Sequence, residues 1–124
     1  MRVYLAGPMT GVPLFNFPLF NKVAVHLRDH GHEVFNPAER DIERHDGVDI
    51  SAGNMTGDPK LAAAAFGFSL RDALADDTWW ICKKAQAICL LPGWEHSSGA
   101  VMEHKLAQCL RLKFMYWSEE HGLG

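Results

Sequence analysis

The chain has no long hydrophobic run and no cluster of basic residues. No apolar stretch reaches the roughly 18 residues that a membrane-spanning helix needs, so we expect no membrane partner. Lysine and arginine together number 12 against 15 acidic residues, which gives a net charge of −3. Nucleic-acid clamps depend on clustered lysine and arginine, so we expect no nucleic-acid partner. The amino terminus, with one arginine and an early proline, is typical of a strand and loop and not of a signal peptide.

Cysteine is scarce, and the spacings that hold metals or nucleotides are missing. Cys82, Cys89 and Cys109 are odd in number and form no CxxC pair, which indicates reduced thiols in a cytoplasmic protein. The histidines form neither HExxH nor CxxC…HxxxH, and neither GxGxxG nor Walker A occurs. We therefore predict no metal, no cofactor and a cytoplasmic location.

What is present is the composition of one ordinary globular domain. Hydrophobic residues make up 48% and charged residues 22% of the 124 residues, as in typical folded chains. We assign one domain to residues 1–124. A chain of this length buries roughly 65–70% of its unfolded surface, enough for a core and a pocket.

Short apolar runs and turn residues alternate along the chain. Strands are predicted at 2–6, 33–35, 87–91 and 112–117, and helices at 19–30, 70–84 and 98–111, the second helix having an uncertain start near Leu61. Residues 7–18 are predicted to form a structured loop, and residues 36–60 a mobile loop or a broken helix.

This alternation predicts an α/β fold with a parallel sheet and helices on both faces. Ligands bind such sheets beyond the carboxyl ends of the strands. Three segments are expected to meet there: the 7–18 loop, the loop after Asn36 and the 92–99 loop.

Glu103 lies on a helix face that should be apolar. At about 100° per residue it falls about 40° from Gly99, within the stripe predicted to face the sheet, which comprises Gly99, Met102, Leu106 and Leu110. A carboxylate there is costly unless it is paired or bound to a ligand. One interpretation is a half-buried glutamate that pairs with an arginine or caps a backbone group. The other is a functional acid: Gly99 leaves space beside it, and Ser97, Ser98 and the first helix amides suit an anion or sugar hydroxyls.

Asp77 poses the same question on the preceding helix. It falls in the middle of an apolar stripe formed by Leu70, Ala73, Leu74, Trp80 and Ile81. Asp77 either pairs with Arg71 or Lys84, or caps a later helix start, or faces a site. Two carboxyl groups that face inward at the end of one strand are the usual catalytic groups for cleaving a glycosidic bond.

Several aromatic residues accompany the two acids. Tyr4 lies on the opposite face of the first strand from its neighbours, and either orients a catalytic carboxylate or is a core tyrosine with a satisfied hydroxyl. Phe17, beside Asn16, either stacks on a base or packs in the core. Trp94 is expected near the pocket mouth, where it either stacks on a base or lies at a dimer contact. Trp79 is expected to be buried against another element or subunit, which indicates an oligomer.

Three segments resemble the nucleoside 2-deoxyribosyltransferase superfamily, which includes the 2′-deoxynucleoside 5′-monophosphate N-hydrolases and the pyrimidine-nucleotide hydrolases. They are YLAGP at residues 4–8, DTWWI at 77–81 and SSGAVME at 97–103. The longer pattern YLAGPMTG…NFPLFN…NPAE…LPGWEHSSGAVME is more similar to a branch common in phages and prophages. The resemblance implies a flavodoxin-like three-layer α/β/α fold with four to five strands, and a homodimer or higher homo-oligomer.

The resemblance also implies roles for individual residues. Glu103 would be the nucleophile at C1′ of a nucleoside or nucleotide, Asp77 the proton donor to the leaving base or a clamp on it, and Tyr4 the residue that orients Glu103. Ser97 would contact the 5′-phosphate or 5′-hydroxyl. The loop from Gly7 through Pro8 and Met9 to Gly11 would cover the sugar and phosphate.

The sequence departs from that family in places and leaves alternatives open. Related monophosphate hydrolases hold phosphate with an arginine in the first loop, where this chain has Pro8-Met9-Thr10-Gly11. Relatives often have an aspartate at the start of the central strand, where Gln86-Ala87 stands. One alternative function is a phage protein that binds or sequesters nucleotide derivatives without turnover. Another is a phosphoribohydrolase, since Leu-Pro-Gly93 and Glu103 loosely resemble PGGxGTxxE.

Overall fold

The computed structural model describes residues 1–120 and 122–123. Its strands are β1 (Arg2–Ala6), β2 (Glu33–Phe35), β3 (Ala87–Leu90), β4 (Lys113–Ser118) and β5 (Gly122–Leu123), and its helices are α1 (Phe17–Asp29), α2 (Pro37–Arg44), α3 (Pro59–Phe66), α4 (Leu70–Lys83) and α5 (Ser98–Cys109). Single 3₁₀ turns occupy Pro13–Asn16 and Trp94–His96. The strands and helices expected from the sequence are present, with bounds within two residues of those predicted.

The strands form one sheet in the order β2-β1-β3-β4-β5. The first four are mutually parallel, and the short β5 pairs antiparallel with β4. This order is that of flavodoxin-like sheets, so the predicted α/β fold is confirmed. Among the described residues, no helix has the length and apolar character to cross a membrane, and no three side chains are placed to hold a metal ion.

Alternation along β1 separates the two faces of the sheet. Val3 and Leu5 belong to a buried cluster that includes the apolar face of α1. Tyr4 and Ala6 belong to a second cluster with residues of α4 and α5, among them Ile81 and Ala107. Helices therefore cover both faces, and Tyr4 points to the layer that contains Asp77 and Glu103.

Residues 36–60, predicted to be a mobile loop or a broken helix, contain a short helix, α2, at their beginning. Asn36 caps α2 by accepting a hydrogen bond from the Ala38 amide at 3.0 Å. The uncertain helix start near Leu61 is resolved into two helices, because Gly67 ends α3 in the left-handed conformation and Ser69 caps α4. Turns follow α2, yet Ile50 within them is only 1% exposed.

Candidate active site

Three elements bring Tyr4, Asp77 and Glu103 to one place beside the sheet. Tyr4 comes from β1, Asp77 from α4 and Glu103 from α5. The Tyr4 hydroxyl donates a hydrogen bond of 2.5 Å to Oε2 of Glu103. All three side chains are buried, with exposed fractions of 0%, 7% and 6%. Tyr4 is therefore a core tyrosine with a satisfied hydroxyl, and the group that satisfies it is a carboxylate, so its catalytic orienting role stays a prediction.

The face of α5 that packs inward differs from the one predicted. Met102 and Leu110 are 36% and 40% exposed, whereas Ala100, Glu103 and Ala107 are buried. The prediction assumed that the largest apolar side chains face the sheet. The small side chains of Ala100 and Ala107 are buried instead, because they let the helix pack closely. Glu103 consequently lies within the packing face, flanked by two methyl groups, where its carboxyl reaches Tyr4.

Asp77 faces inward as predicted, and without an ionic partner. Ala73 and Ile81, one turn away on each side, are buried with it. Within the described part of the chain Asp77 forms no salt bridge with Arg71 or Lys84, and its Oδ1 is buried without a hydrogen-bond partner. A buried carboxyl oxygen normally has a partner, so this atom is available to a ligand.

These side chains line a cavity of about 280 Å³. Of the residues singled out from the sequence, those on its wall are Tyr4, Gly7, Met9, Asp77, Ser97, Ser98, Gly99 and Glu103. Ser97 also caps α5 by accepting a hydrogen bond from the Ala100 amide at 3.3 Å. The cavity therefore combines two buried acids with the amino-terminal end of a helix.

The remaining sequence candidates are not on the cavity wall. Asn16 donates from its amide to the carbonyl of Pro8 at 3.0 Å, so it holds the first loop in place. Phe17, the first residue of α1, is 3% exposed and packs in the core, which corresponds to the packing interpretation. Trp94 stacks on His104 with ring centroids 4.5 Å apart.

The oligomer suggested by Trp79 stays a prediction. Its side chain is 55% exposed in this chain, so it is not buried against another element of the same molecule.

The first loop is fastened by residues from the segment that the sequence left unplaced. The Gly11 amide donates to the Gly57 carbonyl at 2.8 Å, and the Leu14 amide to the Asn54 carbonyl at 2.7 Å. Gly57 has φ +65°, and a Cβ there would lie 2.3 Å from the Val12 carbonyl oxygen. Only glycine fits such a position. Gly11 therefore shapes the site indirectly, through backbone pairing.

Sequence reasoning missed several residues of the cavity wall, of which Asp41, Ile50, Phe68 and His96 are examples. Asp41 is 5% exposed and forms an ion pair with Arg44 one turn later on α2. A signal for α2 was available, because Asn36-Pro37 is a helix start. The cavity-facing position of Asp41 had no such signal, since it depends on how α2 packs against α4.

Burial dominates the electrostatics of the site. Burial raises the pKa of Glu103 well above its usual value, and the negative charge of Asp77 raises it further, against the Tyr4 hydrogen bond. Burial also raises the pKa of Asp77 to about 7, with the charge of Asp41 as the next cause. The Tyr4 pKa is raised as well, chiefly by burial. Shifts of this kind, in a cavity, are typical of functional sites.

We expect Gly99→Leu to block the cavity without unfolding the chain. Gly99 is on the cavity wall, and a Cβ added there meets no atom within 4 Å. The midpoint of thermal unfolding should stay nearly constant. The calorimetric Kd for a nucleoside, the ligand class that the resemblance implies, should rise by about 10-fold or more. Ala75→Leu, on the exposed face of α4, is the matched control. Unchanged binding by Gly99→Leu would place the ligand elsewhere.

Comparison with known proteins identifies one family. A family model described as Domain of unknown function (DUF4406) matches residues 1–116. No curated protein and no solved structure matches the chain. The matched range contains every residue of the cavity wall.

Proposed function

The chain belongs to the DUF4406 family, and we propose that it cleaves the N-glycosidic bond of a nucleoside or its 5′-monophosphate, with water or a second base as the acceptor. The observation that carries the proposal is the 2.5 Å hydrogen bond from Tyr4 to Glu103 in a cavity that Asp77 also lines. The resemblance of these segments to the nucleoside 2-deoxyribosyltransferase superfamily supports the same chemistry.

In the proposed reaction Glu103 is the nucleophile and Asp77 the general acid. A carboxylate oxygen of Glu103 forms a bond to C1′ as the bond from C1′ to the base nitrogen breaks, and Asp77 gives its proton to the departing base. Water then attacks C1′ and loses a proton to Asp77, which releases the sugar and frees Glu103. A second base in place of water gives base transfer. Two carboxyl groups are the standard arrangement for glycosyl transfer with retention, one acting as the nucleophile and the other first as the acid and then as the base.

Tyr4 positions Glu103 and biases its protonation. A hydroxyl that donates to a carboxylate favours the ionised form, so the Tyr4 hydrogen bond opposes the burial that raises the pKa of Glu103. With a pKa of about 7, Asp77 carries a proton over much of the neutral range, as a general acid requires.

The charges of the cavity favour a substrate without a 5′-phosphate. Within the described part of the chain, no lysine or arginine is on the cavity wall, while Asp41, Asp77 and Glu103 are. Ser97, Ser98 and the unpaired first amides of α5 supply hydrogen-bonding groups for the 5′ position, and the absence of a cation among the described residues of the wall is what favours a 5′-hydroxyl there. We therefore expect nucleosides to be better substrates than their monophosphates.

The test is to incubate the protein with a panel of nucleosides, 2′-deoxynucleosides and their 5′-monophosphates. Free base is measured by chromatography, with and without a second base to detect exchange. Release or exchange from at least one member supports the proposal. Folded protein that yields neither product from the whole panel contradicts it.

A non-catalytic binding function is the second candidate, and one observation favours it. Burial and Asp77 raise the pKa of Glu103 well above its usual value, and a protonated carboxyl is not a nucleophile. A protein that only binds a nucleoside derivative would keep its affinity in Glu103→Gln, and the wild type would show no turnover.

A further inference from the structure

Asp41 is a third buried acid in the cavity, and the proposed reaction does not use it. It is 5% exposed and is part of the cavity wall together with Ala73 and Leu74 of α4. Asp41 is on α2, which follows the carboxyl end of β2, whereas Asp77 is on α4 and Glu103 on α5. Asp41 therefore reaches the cavity from a different helix than either proposed catalytic acid.

An ion pair with Arg44 fixes the direction of this carboxyl, and Arg44 is itself held by Asp76. Arg44 contacts Oδ1 of Asp41 through one guanidinium nitrogen and Oδ2 of Asp76 through another, the latter at 2.9 Å. Arg40 adds a second ion pair to Asp76 at 3.3 Å. A guanidinium held between two carboxylates restricts the rotamers of both. Oδ2 of Asp41 forms no hydrogen bond within the described residues, so it is free to accept one from a ligand.

The three acids have an order along the cavity. Helix α4, which carries Asp77, packs against both α2, which carries Asp41, and α5, which carries Glu103. Asp77 is therefore on the element between the other two, and the charge of Asp41 is one cause of its raised pKa. If Glu103 meets the sugar and Asp77 meets the glycosidic nitrogen, Asp41 is at the end of the cavity that receives the far edge of the base.

Resting on the proposed function, we propose that Asp41 is a specificity-determining residue that accepts a hydrogen bond from the amino group of the substrate's base. The buried, unpartnered Oδ1 of Asp77 beside it independently indicates that this part of the cavity is built for a hydrogen-bonding ligand. The site then selects cytosine over uracil, and adenine over hypoxanthine.

The chemistry of a carboxylate sets this preference. Burial raises the pKa of Asp41, and the Arg44 guanidinium in contact with it opposes that shift and favours the ionised form. An ionised carboxylate only accepts hydrogen bonds. The amino groups of cytosine and adenine donate, whereas the carbonyl oxygens that replace them in uracil and hypoxanthine are acceptors. A carbonyl facing Asp41 would leave two acceptors unpaired in a buried site, and sites of this kind discriminate strongly.

The experiment compares base release from two matched pairs, 2′-deoxycytidine with 2′-deoxyuridine and 2′-deoxyadenosine with 2′-deoxyinosine. We expect wild-type kcat/KM to favour the amino member of the accepted pair by about 10-fold or more. Asp41→Asn, whose amide can also donate, should bring the ratio close to one. Glu43→Gln, on an exposed position of the same helix, should keep the wild-type ratio.

The outcomes separate this inference from the proposed function. Equal kcat/KM for amino and oxo bases in the wild type overturns the role of Asp41, and this comparison needs no variant to fold. An unchanged ratio in a folded Asp41→Asn protein overturns it as well. If no nucleoside releases base, the proposed function fails, and calorimetric Kd values for the same pairs then decide the role of Asp41 alone. Equal Kd values for both members of each pair overturn it.

Discussion

Glu103→Gln lowers base release by at least about 10³-fold and leaves the fold intact. The amide has nearly the shape of the carboxylate and still accepts the Tyr4 hydrogen bond, which spans 2.5 Å in the wild type. It has no negative oxygen with which to attack C1′, so the covalent step is lost while the cavity keeps its form. The measurement is kcat/KM for the best substrate, with circular dichroism and thermal unfolding to verify the fold.

The matched control for this variant is Glu95→Gln. Glu95 is exposed in the 3₁₀ turn that precedes α5, so the same chemical change there should alter kcat/KM little. A wild-type sample quenched during turnover should also gain the mass of one glycosyl group. Normal turnover by Glu103→Gln would show that Glu103 is not the nucleophile.

Asp77→Asn raises the free energy of unfolding at neutral pH and removes most activity. The pKa of Asp77 is raised from 3.8 to about 7, first by burial and then by Asp41, while Tyr4 and Arg44 oppose the shift and Asp76 adds to it. Between about pH 4 and pH 7 the folded chain keeps a proton that the unfolded chain has lost. Wild-type stability therefore falls as the pH rises through this window.

Asparagine does not titrate, so the variant loses this contribution. At about 1.36 kcal/mol per pH unit, the gain at pH 8 is up to about 4 kcal/mol, measured by denaturant unfolding at several pH values. In the variant, the slope of the free energy of unfolding against pH becomes shallower but does not vanish, because Glu103 also has a raised pKa. Asp72→Asn, on an exposed position of the same helix, should keep the wild-type slope. Equal slopes for wild type and Asp77→Asn would contradict the burial argument.

The activity of Asp77→Asn should fall by about 10²–10⁴-fold, the usual effect of losing a general acid. For the wild type, a general acid must be protonated, so kcat/KM should decline as the pH rises through about 7. Activity that stays constant from pH 6 to about pH 9 would show that Asp77 donates no proton.

The two central acids could be identified from the sequence, but the face of one helix could not. Asp77 is one turn from both Ala73 and Ile81, and all three are buried, so the periodicity placed Asp77 correctly, although Leu70 at the start of the predicted stripe is 49% exposed. On α5 the same reasoning chose Met102 and Leu110, which are half exposed. Periodicity measures where large apolar side chains cluster, whereas close packing against a sheet selects small ones.

The segment after Asn36 was the largest gap. Its charge, glycine and proline obscured any period, so nothing in the sequence connected Asn54 and Gly57 to the first loop. Those connections are backbone hydrogen bonds, which no side-chain pattern encodes. Asp41 was hidden for a related reason, because an acid on a short charged helix is ordinarily solvated.

The helices and strands follow from the sequence, since alternation along β1 and the turn residues that end each strand are local properties of the chain. The sequence also identifies Asp77 and Glu103 as exceptions on buried faces. Which side chains contact one another depends on how the helices and strands pack. The Tyr4–Glu103 hydrogen bond joins positions 99 residues apart, and Asp41 enters the cavity through the packing of α2 on α4. Contacts of this kind depend on where whole elements lie, and local spacing carries no information about that.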